Sequence, residues 1–245
     1  MHRSLRLIIV VAVLMTAGTA QAAGGNAPLE PAGNDAGDVP SLQRGARNFI
    51  NYCSGCHSAQ YVRFNSIARD LHLSEEQVVE NLMFNAEKSF ETIQATMPAA
   101  DAAHWFGQVP PDLSLMARAK GTDYVYNFLK GFYLDPDSPT GVDNLVLGGS
   151  SMPHVLWELQ GFQSAVYHEN ESREQVFDHF EAATTGSLSA EDYDNFVRDT
   201  VNFLEYISEP ARATRRALGV WVLMFLTVFL IITAMLKKQI WKDVS

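Results

Sequence analysis

The stretch Cys53-Ser54-Gly55-Cys56-His57 decides how this 245-residue chain is interpreted, because it contains both of the chain's cysteines. Two thiols three positions apart, with a histidine directly after the second, match the spacing at which a c-type haem is attached. Each thiol can add across one vinyl group of the haem, and His57 is then held close enough to bind the iron. The motif therefore predicts one covalent haem, linked through Cys53 and Cys56.

Two other chemistries use a Cys-x-x-Cys pair. A structural zinc site needs four ligands, whereas Cys53, Cys56 and His57 provide three and the sequence has no second cysteine pair. A thioredoxin-like redox pair lies in a strand–helix–strand context, and residues 40–80 do not have that pattern. The compartment predicted from the N-terminus also favours haem over a chance match.

The first 22 residues have the features of a secretory signal peptide. Arg3 and Arg6 precede an apolar run over residues 7–15, and Ala20-Gln21-Ala22 is an A-x-A cleavage pattern. A membrane anchor is the alternative, but the run is far shorter than the ~20 residues that a span requires. Export agrees with the haem interpretation, because c-type haem is normally attached outside the cytoplasm.

A second apolar stretch, residues 217–236, contains no charged side chain. Twenty residues at ~1.5 Å rise cover the ~30 Å hydrocarbon thickness of a bilayer, so we predict a transmembrane anchor. A buried core helix is the alternative, but globular helices rarely stay apolar on every face. The lysine-containing tail, 237–245, is then cytoplasmic, as the positive-inside rule expects. The arginines of the juxtamembrane segment 210–216 lie on the outer side and do not follow that rule.

One domain lies between the two apolar ends. An irregular leader rich in Gly, Pro, Asn and Asp covers residues 23–40, and residues 41–209 form the soluble body. The formal charge of the whole chain is −10. An acidic exported domain disfavours nucleic acid and favours a basic protein partner.

Apolar spacing and capping signals predict helices on both sides of the haem motif. The first helix ends at the motif and carries Leu42, Ala46, Phe49, Ile50 and Cys53. Ser74-Glu75-Glu76-Gln77 is a capping box that opens a second helix with Val78, Leu82 and Met83 on its apolar side. Thr122 is predicted to cap a third, which ends at Gly131.

The longest soluble helix is predicted to begin at Ser189 and to end at Pro210. Its apolar stripe consists of Tyr193, Phe196, Val197, Val201, Leu204 and Ile207. Val155-Leu156-Trp157 and Phe180-Glu181-Ala182 are predicted to be short strands around an acidic loop. The fold class is thus mainly α: a c-type cytochrome domain with a small irregular or β-hairpin insertion and one C-terminal transmembrane helix.

Haem iron in an electron carrier usually has two protein ligands, and a His/Met pair raises its reduction potential. Met83 and Met116 lie in apolar helical patterns and are expected to pack in the core. Met97-Pro98 and Met152-Pro153 lie in loops, where a backbone can aim a thioether at the iron. Met152 is favoured because it follows Gly148-Gly149-Ser150-Ser151, which permits close approach to a flat cofactor; Met97 remains the alternative.

Several motifs in addition to the haem site resemble those of cytochrome c1, in the same order along the chain. They are Arg47-Asn48-Phe49-Ile50-Asn51-Tyr52, Ser58-Ala59-Gln60-Tyr61, Pro110-Pro111-Asp112-Leu113-Ser114, Arg118-Ala119, Asp123-Tyr124-Val125, Gly131-Phe132-Tyr133, the Met152-Pro153 loop and the single C-terminal anchor. The haem motif is common to all c-type cytochromes, whereas this combination is much more specific. The resemblance covers nearly the whole mature chain.

The resemblance implies an electron-carrying, non-catalytic subunit of ubiquinol–cytochrome c reductase. Such a subunit works beside cytochrome b, takes one electron from a Rieske iron–sulfur protein and passes it to a soluble or tethered cytochrome c. It implies a single-pass protein of the bacterial inner membrane, with one haem c on the periplasmic side. The alternative is a membrane-anchored monohaem cytochrome that serves another quinol dehydrogenase or a terminal oxidase.

The resemblance also implies roles for individual residues. His57 and Met152 would be the axial ligands of the iron, which makes Met152 the choice over Met97. A carbonyl at Pro110 or Pro111 would orient His57, Arg118 would pair with a haem propionate, and Tyr124 would lie near the haem.

Two features depart from longer relatives. The stretch between Tyr133 and Met152 is short, and residues 168–194 are strongly acidic. Such a run is usually a solvated face; it is also a candidate docking surface for cytochrome c.

Overall fold

Helices dominate the part of the chain that the computed structural model describes, residues 29–170 and 173–243. In chain order the elements are α1 (Val39–Tyr52), β1 (Ala59–Arg63), α2 (Phe64–Asp70), α3 (Glu75–Asn81), β2 (Thr92–Ile93), α4 (Ala99–Phe106), α5 (Met116–Lys120), α6 (Thr122–Lys130), β3 (Phe132–Leu134), β4 (Val142–Asn144), α7 (Trp157–Gln160), β5 (Gln163–Glu169), β6 (Gln175–Ala182), α8 (Ala190–Ser208), α9 (Arg212–Ile240) and a 3₁₀ turn (Trp241–Asp243). The predicted mainly α class is confirmed. The predicted signal peptide, 1–22, lies outside the described residues.

The haem motif follows directly on α1, as predicted. Asp38 caps the start of α1 by accepting a hydrogen bond from the amide of Ser41 at 3.3 Å. The last turn closes where the amide of Cys53 donates to the carbonyl of Phe49 at 2.8 Å. Residues 53–57 are thereby attached to the end of a rigid helix.

The centre of the core is the contact between α1 and α8. Phe49 and Phe203 are both fully buried, and their ring centroids lie 5.6 Å apart. A Cβ on Gly45 would lie 2.0 Å from the carbonyl oxygen of Asp199, so the close approach of the two helices requires glycine there. Truncation of either phenylalanine would cost roughly 3–5 kcal/mol.

Helix α8 agrees with the sequence prediction. Ser189 accepts a hydrogen bond from the amide of Asp192 at 3.1 Å and so caps the first turn, and the helix ends at Ser208, before Pro210. Apart from Phe196, which is half-buried, its predicted apolar stripe is buried.

The other helix signals are confirmed in part. The Ser74 capping box is present, but α3 ends at Asn81, so Leu82 and Met83 are buried just beyond the helix. The prediction that Thr122 caps α6 is wrong, since Thr122 is the first helical residue and Gly121 is the N-cap, without a side-chain hydrogen bond. Gly121 has φ +94°, a conformation that favours glycine, because α5 and α6 meet there in a tight turn. Gly131 ends α6 as predicted.

Among the described residues, three two-stranded antiparallel sheets complete the domain: β1–β2, β3–β4 and β5–β6. The predicted strand at Phe180-Glu181-Ala182 is confirmed within β6. The predicted strand at Val155-Leu156-Trp157 is wrong. The amide of Gln160 donates to the carbonyl of Leu156 at 3.0 Å, and this closes the single helical turn of α7.

Helix α9 leaves the domain at Arg212. Its apolar part, Ala217–Ile240, is long and apolar enough to cross a membrane, and none of it is buried against the domain. The helix itself continues past the predicted end of the apolar stretch at Leu236, through Lys237 and Lys238. Helix α9 is tied to the end of α8 by ion pairs of Arg212 with Glu205 and of Arg215 with Glu209. Arg212 and Arg215 therefore neutralise carboxylates of the domain itself.

Candidate haem-binding site

A cavity of about 480 Å³ is lined by residues of α1, α6, α8 and the 147–156 loop. This volume is in the range of ligand and cofactor pockets, ~300–1,000 Å³. The cavity is lined by Cys53, Cys56 and His57 of the haem motif. It is also lined by Met152, which lies almost 100 residues later in the sequence.

The haem motif forms one tight turn at the edge of the cavity. The amides of Cys56 and His57 both donate to the carbonyl of Cys53, at 3.0 and 2.8 Å. Both thiols are free, and burial raises the pKa of Cys53 to about 12 and that of Cys56 in the same direction. A redox-active Cys-x-x-Cys pair has a lowered thiol pKa, so the environment of Cys53 and Cys56 does not fit a thioredoxin-like function.

The imidazole of His57 is buried and its orientation is fixed. Its Nδ1 lies 2.8 Å from the carbonyl oxygen of Pro111. Because a carbonyl can only accept, Nδ1 carries the proton and Nε2 keeps its lone pair for a metal. Burial lowers the pKa of His57, and the Pro111 hydrogen bond and the charge of Asp112 offset this only in part. The neutral form needed for ligation is therefore the favoured one.

The Pro110–Ser114 segment is held against the chain that follows the motif. Asp112 accepts hydrogen bonds from the amides of Gln60 and Ser114, at 2.8 and 2.9 Å. The amide of Leu113 donates to the carbonyl of Ser58 at 2.8 Å. These bonds fix the carbonyl of Pro111 that orients His57.

The four candidate methionines occupy different places. Met152 lines the cavity from the 147–156 loop, and Met116 also lines it while packing against the core. Met83 is buried in the core, and Met97 is half-buried, with its amide donating to the carbonyl of Gly55 at 3.0 Å. Neither Met83 nor Met97 is among the described residues that line the cavity.

The remaining predicted site residues divide into two groups. Pro111 and Tyr124 line the cavity, and Tyr124 stacks on Phe128 with ring centroids 6.3 Å apart. Arg118 is exposed on α5 and is not among the described lining residues. Lys120 does line the cavity, with its ammonium 5.5 Å from the ring centroid of Tyr124.

The residues present fit a c-type haem. The cavity is lined by two thiols, an imidazole and the thioether of Met152, and its other lining side chains are mainly apolar. Within residues 29–170 and 173–243, no group of three or more His, Cys, Asp or Glu side chains is placed to hold a metal ion. The zinc interpretation therefore gains no further ligand in this part of the chain.

Some residues that shape the cavity belong to no recognisable sequence motif, and sequence reasoning missed them. Asp143 and Asn144 hold the loop that carries Met152, and Lys120 is on the cavity wall. A signal for the first pair was available, since Asp-Asn before a Gly-Gly run is typical of side chains that accept hydrogen bonds from loop amides.

Comparisons with known proteins agree with this site. A family model described as the Cytochrome C1 family matches residues 34–244. Cytochrome c1 of Allochromatium vinosum is 44% identical over 243 residues, which cover 98% of this chain and 100% of that protein. A Nitrosomonas europaea protein named ammonia monooxygenase gamma subunit is 38% identical, over 96% of this chain and 97% of that protein. The mitochondrial cytochrome c1 heme protein of Saccharomyces cerevisiae is 25% identical, over 85% of this chain and 68% of that protein.

Proposed function

Because this chain belongs to the cytochrome c1 family, we propose that it accepts one electron from a Rieske iron–sulfur protein and passes it to a c-type cytochrome. Members of the family carry one covalently bound c-type haem and are haem subunits of the cytochrome b–c1 complex, so cytochrome b is a partner. The observation that carries the proposal is the single cavity that Cys53, Cys56, His57 and Met152 share.

Each of these side chains has a proposed role. Cys53 and Cys56 would hold the haem through thioether links, and His57 and Met152 would ligate its iron. When bound, the haem supplies one-electron redox chemistry, and a His/Met ligand pair favours a high potential. Pro111 keeps His57 in the tautomer that offers Nε2.

Proposed contacts at the cavity wall complete the site. Tyr124 packs beside the haem, and Arg118 pairs with a propionate, as the family resemblance implies. Lys120 is a second cation for a propionate, and its position on the wall supports that role.

We place the protein in the bacterial inner membrane with its haem domain in the periplasm. The apolar part of α9 supports a single span. The basic tail after it favours a cytoplasmic C-terminus.

The name of the Nitrosomonas relative raises a second candidate function, as a subunit of a monooxygenase. A haem that activates oxygen needs an open iron position. Met152 and His57 line the same cavity, and a Met152 ligand would close that position, so we favour electron transfer.

Purification of the affinity-tagged full chain from detergent-solubilised membranes tests the proposal. We expect cytochrome b and an iron–sulfur protein to co-purify and the preparation to reduce a c-type cytochrome with quinol. A tagged chain that lacks the predicted α9 span is the matched control for membrane association. Co-purification with oxidase or monooxygenase subunits in place of cytochrome b would overturn the assignment.

A further inference from the structure

One carboxylate holds the loop that leads to Met152. Asp143, in β4, accepts hydrogen bonds at Oδ1 from the amides of Gly149 and Ser150, at 2.7 and 3.3 Å. Gly149 has φ +72°, so the backbone turns there in a way that favours glycine. The Gly-Gly-Ser-Ser run is therefore anchored although its composition is that of a flexible linker.

The anchoring continues to the methionine itself. Ser150 is buried, and its hydroxyl accepts a hydrogen bond from the amide of Met152 at 3.3 Å. Asp143 thus holds Ser150, and Ser150 holds the backbone of Met152.

Asn144 fixes the other end of the loop. It is 1% exposed, its Oδ1 accepts from the amides of Val146 and Leu147, and its Nδ2 donates to the carbonyl of Phe128 at 2.8 Å. Phe128 belongs to α6 and lines the cavity. The loop is therefore anchored to the same helix that forms the cavity wall.

We propose that Asp143 is a positioning residue for Met152, acting through Ser150 to present the thioether to the haem iron. This inference rests on the proposed function, because the role of Met152 as a ligand belongs to that proposal. The physical reason is preorganisation. Ordering a free loop costs conformational entropy, and a loop that is already ordered does not incur that cost when the sulfur binds.

Three variants of the full-length haem-loaded protein test the inference. Asp143→Ala removes the acceptor for the amides of Gly149 and Ser150, and also for the amide of Asn144, which donates to the same Oδ1 at 2.7 Å. Asp143→Asn keeps an acceptor oxygen and removes the charge. Asp135→Ala is the matched control, since Asp135 lies in the same β3–β4 hairpin and accepts one backbone hydrogen bond, from the amide of Asp137 at 3.0 Å.

The readouts are the red-region sulfur-to-iron absorption of the ferric protein, the midpoint potential and the affinity for added imidazole. Loss of a group that orients a metal ligand typically lowers the affinity of the site for its metal ~10–100-fold. We expect Asp143→Ala to bind imidazole at least about tenfold more tightly than the parent, with a weaker red band and a lower potential. Asp143→Asn and Asp135→Ala should stay close to the parent.

The outcomes separate this inference from the proposed function. If Met152→Leu keeps the red band, the ligand assignment fails and this inference fails with it. If Met152→Leu loses the band but Asp143→Ala matches Asp135→Ala, only the positioning role is wrong. An Asp143→Asn variant as impaired as Asp143→Ala would also overturn it, since charge and not hydrogen bonding would then matter. Should Asp143→Ala fail to load haem, Ser150→Ala decides: a smaller change in the same direction supports the inference, and no change overturns it.

Discussion

The Nδ1 atom of His57 lies 2.8 Å from the carbonyl oxygen of Pro111. This hydrogen bond joins the haem motif to a segment more than fifty residues later. Both sides of the bond are independently held, His57 by the turn that closes on Cys53 and Pro111 by the bonds of Asp112. The bond therefore sets the direction in which Nε2 points.

Asp112→Ala should raise the midpoint potential. It frees the amides of Gln60 and Ser114, loosens the Pro111 carbonyl and weakens the hydrogen bond that makes the His57 imidazole a stronger donor to iron. A tenfold change in a one-electron equilibrium is ~59 mV, and we expect a rise of that order. Asp112→Asn loses the same charge but keeps an acceptor, so potentiometric titration should give it a smaller rise. Equal shifts in the two variants would mean that Asp112 acts through charge alone.

Met152→Leu should abolish the red-region sulfur-to-iron absorption while the haem stays covalently attached. The potential should fall steeply, because the soft thioether favours ferrous iron. Met97→Leu is the matched control, since Met97 also precedes a proline in a loop but is not among the described residues that line the cavity. If Met97→Leu loses the band and Met152→Leu keeps it, the assignment is wrong.

Local signals in the sequence were enough for the haem motif and for helices α1, α3 and α8. The α1 stripe, the Ser74 box and the Ser189 cap each depend on residues within a few positions of one another, so the pattern predicts them directly. The Thr122 cap failed because a neighbouring glycine took the capping position, which propensity alone does not decide.

Contacts between distant residues were beyond sequence reasoning. The bond between His57 and Pro111 came from the family resemblance, and no spacing rule implies it. Spacing likewise does not imply the hydrogen bonds from Asp143 to the Met152 loop, or the pairing of juxtamembrane arginines with Glu205 and Glu209. Only one strand of the β5–β6 hairpin was predicted. The segment predicted as the other strand leads into α7, where Trp157 stacks on Phe162.

Truncation before Arg212 should release a soluble, haem-loaded domain into the periplasm. None of the apolar part of α9 is buried against the domain, so its removal costs no core packing. Truncation after residue 216 retains the pairs of Arg212 with Glu205 and Arg215 with Glu209, and is the comparison. Exposed ion pairs contribute ~0–1 kcal/mol, so the two products should differ little in unfolding free energy. A product that is degraded or lacks haem would show that the anchor or partner subunits are needed for folding.

Lys130 should stabilise the domain over a wide pH window. Its ammonium lies 2.7 Å from Asp194 Oδ1 and 3.2 Å from Glu30 Oε2, and so joins α6 to α8 and the leader. Burial lowers the pKa of Lys130, but its hydrogen bonds to Asp194 and Tyr126 outweigh this and raise it. Burial raises the pKa of Asp194, but hydrogen bonds from Lys130 and Tyr126 outweigh this and lower it.

The two shifts fix the sign of the pH dependence. The contribution of Asp194 is present above its unfolded pKa, ~3.9, and is lost as the pH falls through its lower folded value. That of Lys130 is present below ~10.4 and is lost as the pH rises through its higher folded value. Lys130→Met should therefore lower the unfolding free energy by roughly 1–3 kcal/mol at pH 7, and by less in strong acid. Denaturant titrations against the exposed-site control Lys88→Met measure this; an equal effect of both variants would contradict it.

Electron transfer to a basic cytochrome c should slow as ionic strength rises, because the exposed carboxylates of the β5–β6 hairpin would steer the encounter. Glu169, Glu174, Asp178 and Glu181 are all exposed there, and Glu171 lies outside the described residues. Charges on a surface act over a Debye length of ~8 Å at physiological salt, so the rate should fall roughly tenfold between low and physiological ionic strength.

Replacing Glu169, Glu171 and Glu174 with Gln should flatten that dependence, as measured by stopped-flow kinetics. The matched control changes Glu76, Glu80 and Glu87, exposed residues in and just after α3, to Gln, which removes the same net charge elsewhere. If both triple variants behave alike, only net charge matters and docking uses another surface. If the parent shows no salt dependence, the acceptor is recognised through an apolar patch, and a rate that rises with ionic strength would indicate an acidic acceptor.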